Sequence, residues 1–352
     1  MAGLLPKFSL GLGSLRADSG NPAGGPSHFT VERSLDVPAD GLRLVLSDRG
    51  DVSPGDRAVL DLGDEDGLER VFTGTVAEVR PRTSGTEIFA VGTMLSLLEL
   101  RVSSLYQEQT AGGVARDLFG KAGLQAGDVS DSLTLPRFAV ERRVNAFRQL
   151  KALADRLGFD LFSDREGKIH FRGLGAAAGL DSPGGGLGGA LGGALDAAAS
   201  LSGGAGAMAF GKHLLAAKAF SRQDAAREIV VGGESPMSGQ GEDKSFWLTA
   251  KDSDFEDSAG DGEELLIIDP LARTKDMAGR FASGYLAGLR RRRRELKVAL
   301  AGRPDLELGA DLATVDAPED LLNAKGFIKG LRHRFGAGGF LTEATLCVED
   351  GA

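Results

Sequence analysis

The side chains best suited to chemistry in this 352-residue chain are four histidines, one cysteine, two acidic clusters and a run of arginines. His28, His170, His213 and His333 are scattered, and with Cys347 they offer no Cys/His spacing of the kind that holds a metal ion. One cysteine excludes an intrachain disulfide and fits a reducing compartment. Paired carboxylates do acid–base work when burial and a neighbour push their pKa values apart. Asp64-Glu65-Asp66 and the carboxylates from Asp252 to Glu264 are dense enough to supply such a pair, but clusters of this kind belong to solvated loops. His170 alternates with Ile169 and Phe171 and should face away from them; His333 stands between Arg332 and Arg334 near a strand end. Both read as structural or interface residues rather than general bases. The chain has no G-x-x-x-x-G-K-[ST] loop, no G-x-S-x-G elbow and no H-E-x-x-H. No catalytic, cofactor-binding or metal-ligating residue is predicted, and the chain is expected not to be an enzyme.

Arg290, Arg291, Arg292, Arg293 and Arg294 close a predicted helix, where cations gain from the macrodipole. They read as a solvated helix end or as a basic patch facing passing DNA or cargo. A formal net charge of −9 argues against general affinity for nucleic acid or anionic membrane. No stretch reaches the ~20 apolar residues of a membrane-spanning helix, and the N-terminus lacks the pattern of a signal peptide. The protein is expected to be soluble and made in the cytoplasm.

The elements that would position these residues are clearest from Phe138 to Arg172. Asn145 is a candidate N-cap, Ala146, Phe147, Leu150, Leu153, Ala154 and Leu157 follow at helical spacing, and Gly158 stands at the C-cap. Phe159 and Leu161, a turn at Asp164-Arg165-Glu166-Gly167, then Ile169 and Phe171 read as a hairpin on which that helix packs. A second helix is predicted from Thr110 to Gly123. Short strands separated by Gly/Pro/Asp turns run from Phe29 to Val102, and strands return from Glu295 to Glu349. Leu265-Leu266-Ile267-Ile268 reads as a short buried strand, and a helix is predicted over 271–294.

The fold class is therefore mixed β and α+β: a β unit of small-barrel or sandwich type and a second β unit, with an α+β domain between them. The expected boundaries are a flexible arm over 1–27, a first β unit over 28–107 and the α+β domain over 108–172. A Gly/Ala-rich linker or insertion follows over 173–213. The second β unit spans 214–352 and carries an acidic loop (232–264) and the helix.

Four pieces in this order resemble the tail-hub family of contractile injection systems, which includes phage late control protein D and the hub part of VgrG proteins. The first is Gly55-Asp56 before Val71-Phe72-Thr73-Gly74-Thr75-Val76. The second is Thr110-Ala111-Gly112-Gly113-Val114-Ala115-Arg116-Asp117-Leu118 before Ala122-Gly123-Leu124. The third is Asn145–Leu150, Leu157-Gly158-Phe159 and Gly167–Phe171. The last is Gly302–Ala310 before Gly326–Phe335. The resemblance implies that both β units are small β-barrel domains, and that the chain is a homotrimer whose paired barrels form a pseudo-sixfold ring, adapting a sixfold inner tube to a threefold spike. It implies an inner-tube protein, a spike and baseplate proteins as partners, assembly into a phage-tail-like particle, no cofactor, and no stable nucleic-acid or membrane binding. VgrG proteins continue into an OB-fold and a needle, so the spike is expected to be a separate protein. Phe147, Leu150, Leu153, Leu157, Phe159, Phe171, His333 and Phe335 are the predicted structural or interface residues. The alternative from another class is a cell-wall- or carbohydrate-active β protein using the acidic loop.

Overall fold

The computed structural model describes residues 6–20, 25–47, 51–175, 177–178, 207–223, 227–233 and 256–348. Most of the Gly/Ala-rich segment (179–206) and most of the acidic loop (234–255) lie outside them. Among the described residues no helix is long and apolar enough to cross a membrane.

Period-two alternation builds the first unit from β1 (Lys7–Leu12), β2 (Leu15–Asp18), β3 (Pro26–Ser34), β4 (Gly41–Leu46), β5 (Arg57–Gly63), β6 (Leu68–Arg82) and β7 (Gly85–Gly92). They pair antiparallel in the order β3-β4-β7-β6-β5-β1-β2. Phe29, Val31, Leu42, Leu44, Leu60 and Leu62 turn inward and are buried. The start of the chain departs from expectation. Phe8, Leu10 and Leu12 alternate and are buried, and β1 pairs with β5 from Lys7↔Gly63 to Leu12↔Ala58. Their apolar spacing outweighs the Gly and Ser content that suggested a mobile arm.

The middle of the chain holds α1 (Leu95–Glu99), β8 (Ser104–Thr110), α2 (Ala111–Lys121), β9 (Ala126–Val129), β10 (Thr134–Val140), α3 (Ala146–Leu157), β11 (Phe159–Ser163) and β12 (Ile169–Gly173). Thr110 caps α2 by accepting from Gly113 N, and Asn145 caps α3 by accepting from Arg148 N. Gly158 ends α3 in the left-handed region (φ 70°), which a residue with a Cβ enters only at a cost.

After β13 (Met208–Ala209) and β14 (Leu214–Ser221) come β15 (Glu228–Gly232), β16 (Glu256–Gly260), β17 (Glu264–Ile268) and α4 (Lys275–Arg290). The sheet β16-β15-β17 and α4 do not join the second β unit. Ile229, Val231, Phe281 and Leu286 share one apolar core with Leu150, Leu153, Leu157 and Phe159 of the α+β region. Gly284 permits this: a Cβ there would stand 2.2 Å from the carbonyl oxygen of Arg156, so α4 lies directly against the last turn of α3. The helix begins at Lys275 rather than 271, because Thr274 accepts from Met277 N and sets its first turn. The strand expected to be buried is exposed instead: Leu265, Leu266 and Ile268 keep 43%, 53% and 49% of their surface, since β17 is an edge strand.

The chain ends in β18 (Arg294–Ala301), β19 (Asp311–Val315), β20 (Lys325–Gly336) and β21 (Gly339–Val348). Their order with β14 is β14-β18-β21-β20-β19, antiparallel throughout, repeating the order β3-β4-β7-β6-β5 of the first unit. Two separate barrels were expected. The two β units keep separate cores, but β20 pairs with β3 and makes them one 13-stranded sheet.

Candidate assembly surface and the joint beneath it

The seam between the two β units runs from Gly330↔Ser34 to Phe335↔Phe29. Alternation gives it two faces. On the outer face Arg332 sits opposite Glu32 with an ion pair of 2.6 Å, and Arg334 pairs with Glu343 at 3.1 Å. Exposed pairs of this kind contribute ~0.2–1 kcal/mol each, so they set register more than stability. On the inner face Phe335 stacks on Phe29 with centroids 4.7 Å apart and planes 9° apart, and Phe8 meets both rings edge-on. A residue of the second unit thus completes the core of the first.

His333 lies between Leu331 and Phe335 on that inner face and is fully buried. Its Nδ1 is 3.0 Å from Thr342 Oγ1, which also accepts from the amide of Arg303; its Nε2 has no hydrogen-bond partner. Burial pushes its pKa down to about 3, and the nearby Arg33 adds to the effect. Asp305 pulls the other way without offsetting burial. His333 is a core residue.

Under the seam lies a buried ionic knot that joins three parts of the molecule. Arg33, on β3, directs Nε to Asp40 (3.3 Å), Nη1 to Glu307 (3.1 Å) and Nη2 to the carbonyl of Ser163 (3.0 Å). Ser163 Oγ donates to Asp40 at 2.9 Å. Burial opposes the charge of Arg33, but Asp40 and Glu307 outweigh it and hold the guanidinium above its ordinary value. Burial pushes the Asp40 and Glu307 carboxyls up against the pull of Arg33. Arg165 Nε stands 2.7 Å from Glu307 Oε1, an ion pair outside hydrogen-bond geometry. The hairpin tip is clasped by the first unit, where Thr73 Oγ1 donates to the carbonyl of Arg165 and Thr93 Oγ1 to that of Gly167, both at 2.9 Å.

A second joint fixes α4. Arg156 Nε meets Asp269 at 2.6 Å, and Tyr285 donates to the same carboxylate at 3.1 Å; burial drives the Tyr285 pKa up to about 12. The arginine run is not a uniformly solvated helix end. Arg291 turns inward, donates to Asp160 (2.6 Å) and to the carbonyls of Gly158 and Leu174, and lies over the ring of Phe327. Cys347 donates its Sγ–H to the Arg291 carbonyl at 3.2 Å. Arg290, Arg292 and Arg293 stay exposed, and Arg294 opens β18. A cleft of about 330 Å³ opens here, with Lys151, Asp160, Arg291 and Lys329 in its wall. Their charges are matched within the chain: Lys151 with Asp155, Arg291 with Asp160, Lys329 with Asp36 and Glu295. Arg292 lines the same cleft and stays exposed.

The predicted residues fall into two places. Phe147, Leu150, Leu153, Leu157, Phe159 and Phe171 meet in the central core, where Phe159 and Phe171 pack edge-to-face at 5.4 Å. His333 and Phe335 lie at the seam, and His170 stacks on Phe162 at 5.0 Å while its Nδ1 accepts from Asp128 N. Sequence reasoning missed Arg33, Asp40, Ser163, Arg165 and Glu307. One signal was present: Arg33 occupies the inward phase of Phe29 and Val31, and a charge in that phase has to be paired.

No family model and no curated relative matches the chain. Its fold, however, matches solved structures. A tail protein from Neisseria meningitidis MC58 superposes with a TM-score of 0.69 at 15% identity, covering 98% of this chain and 97% of that one. The 43 kDa tail protein of prophage MuSo2 from Shewanella oneidensis gives 0.66 at 14%, covering 97% and 98%. An Escherichia coli type VI secretion component, similar in structure to the T4 bacteriophage tail proteins gp27 and gp5, gives 0.57 at 10%, covering 97% and 77%. Over 97–98% of its length this chain shares the fold of these two tail proteins.

Proposed function

We propose that this chain is a structural, non-enzymatic hub of a phage-tail-like or contractile-injection baseplate. The observation that carries the reading is coverage in both directions: tail proteins of two bacteria match it over nearly all of both chains. Three copies would place six β units of like strand order around one axis. Such a ring presents six similar sectors to a sixfold inner tube and three chains to a threefold spike. The partners are then the inner-tube protein, a separate spike protein and the baseplate proteins, with assembly in the bacterial cytoplasm. The exposed Arg290, Arg292 and Arg293 form the basic patch available to passing cargo. An obligate ring buries upward of ~2,000 Å² per interface, so the isolated chain should self-associate. Imaging the purified protein, and particles isolated with it, tests the reading. Threefold rings with six similar sectors, located between tube and spike, are expected. Particles whose tube–spike junction lacks this chain would overturn it.

A further inference from the structure

The repeated strand order creates a junction that is made once within the chain and left open once. In each unit the long strand carries a bulge, between Ile328 and Gly330 in β20 and between Val76 and Glu78 in β6. Beyond its bulge β20 leaves β19, and its vacated edge receives β3 from Gly330 to Phe335. Beyond the matching bulge β6 has left β5, whose ladder ends at Arg57↔Thr75, and it keeps β7 on one side. Ala77, Glu78, Arg80 and Arg82 are exposed there. The strand that answers to β3 in the second unit is β14. Among the described residues β14 forms a ladder only with β18; Leu214 is also bridged to Phe210, and beyond it the other edge offers unpaired backbone along Leu215–Ser221, with Lys218 its one charge.

We infer that β14 of one copy pairs antiparallel with the Glu78–Arg82 end of β6 in a second copy, repeating between chains the β3–β20 junction found within one. The faces agree. At the internal seam Arg332 and Arg334 point outward while Leu331 and His333 turn to the core. On β6, Arg80 and Arg82 share the outer face and Val79 packs on the first core; on β14, Lys218 lies outward and Ala217 and Ala219 pack on the second. Joining two such edges in register keeps every apolar side chain on its own side of the sheet. Pro81 lacks an N–H and removes one donor from this edge, which restricts the strands able to pair with it. The two edges differ, so the contact is heterologous and copies add head to tail until a ring closes. The pairing stands without the hub reading; its closing number of three rests on it.

Disulfide trapping tests this in the full chain with Cys347→Ser as background. Arg80→Cys is combined in turn with Ala216→Cys, Lys218→Cys and Phe220→Cys, all on the outer face. Opposed positions in an antiparallel pair bring Cβ atoms to ~4.5–5.5 Å, close to disulfide geometry. After oxidation at least one double variant should give a ladder of linked chains that ends at three. Each single variant, and Arg80→Cys with Ala217→Cys on the opposite face, should stay unlinked. A ladder running past three keeps the edge pairing and overturns the threefold hub. Rings without any link, a link in Arg80→Cys alone, or a protein that stays monomeric at the highest concentration reached overturns the pairing.

Discussion

Removing the guanidinium of Arg33 leaves Asp40 buried with Ser163 as its remaining polar partner, while Glu307 keeps Arg165. Breaking a buried pair from one side costs ~3–5 kcal/mol, because the other charge stays desolvated. Arg33→Met should therefore lose about that much in denaturant unfolding, and a loss under ~1 kcal/mol would show the knot to be incidental. His333 gives a pH signature. Its folded pKa of about 3 lies below the ordinary 6.5, so the unfolded chain binds the extra proton first. The stability it contributes is complete above pH 6.5 and is lost as pH falls from there toward 3. The buried carboxyls of Asp40, Asp160 and Glu307 are raised and act with the opposite sign, so the comparison has to be with a His333→Gln variant. Between pH 6.5 and 5 the parent should lose ~2 kcal/mol more than the variant. Equal slopes would mean that His333 protonates freely.

The elements best read from sequence are those whose ends are written locally. The boundaries of α3 follow from Asn145 and Gly158, whose caps form as expected, and α2 starts where Thr110 caps it. Elements whose fate depends on distant partners read less well. The run Leu265–Ile268 forms a strand, yet apolar content alone does not say whether an edge will be covered. Helix α4 packs with the α+β unit rather than the second β unit, and nothing local shows this because its partner, α3, lies over a hundred residues earlier. Gly284, which permits that contact, looks ordinary in a glycine-rich chain. Gly284→Ala should push α4 off the last turn of α3 and cost ~1–3 kcal/mol, the usual range for overpacking. A variant as stable as the parent would mean that the two helices can separate freely.

At the scale of the whole molecule, sequence gave the order of the pieces but not their union. Nothing local announces that β3 and β20, three hundred residues apart, are neighbours, and the joining of both β units rests on that pairing. The units should therefore not be separable. A fragment of residues 1–175 would expose the seam edge of β3 and lose Phe281 and Leu286 from the central core. It should be insoluble or lack dispersed amide resonances; a well-folded fragment would show the seam to be dispensable. The seam also bears on mechanical load. Its rungs lie perpendicular to the strands, so a pull along β3 and β20 shears all of them at once, while a pull across the strands peels them one at a time. Force transmitted along the strand direction would meet the two halves as a single stiff plate.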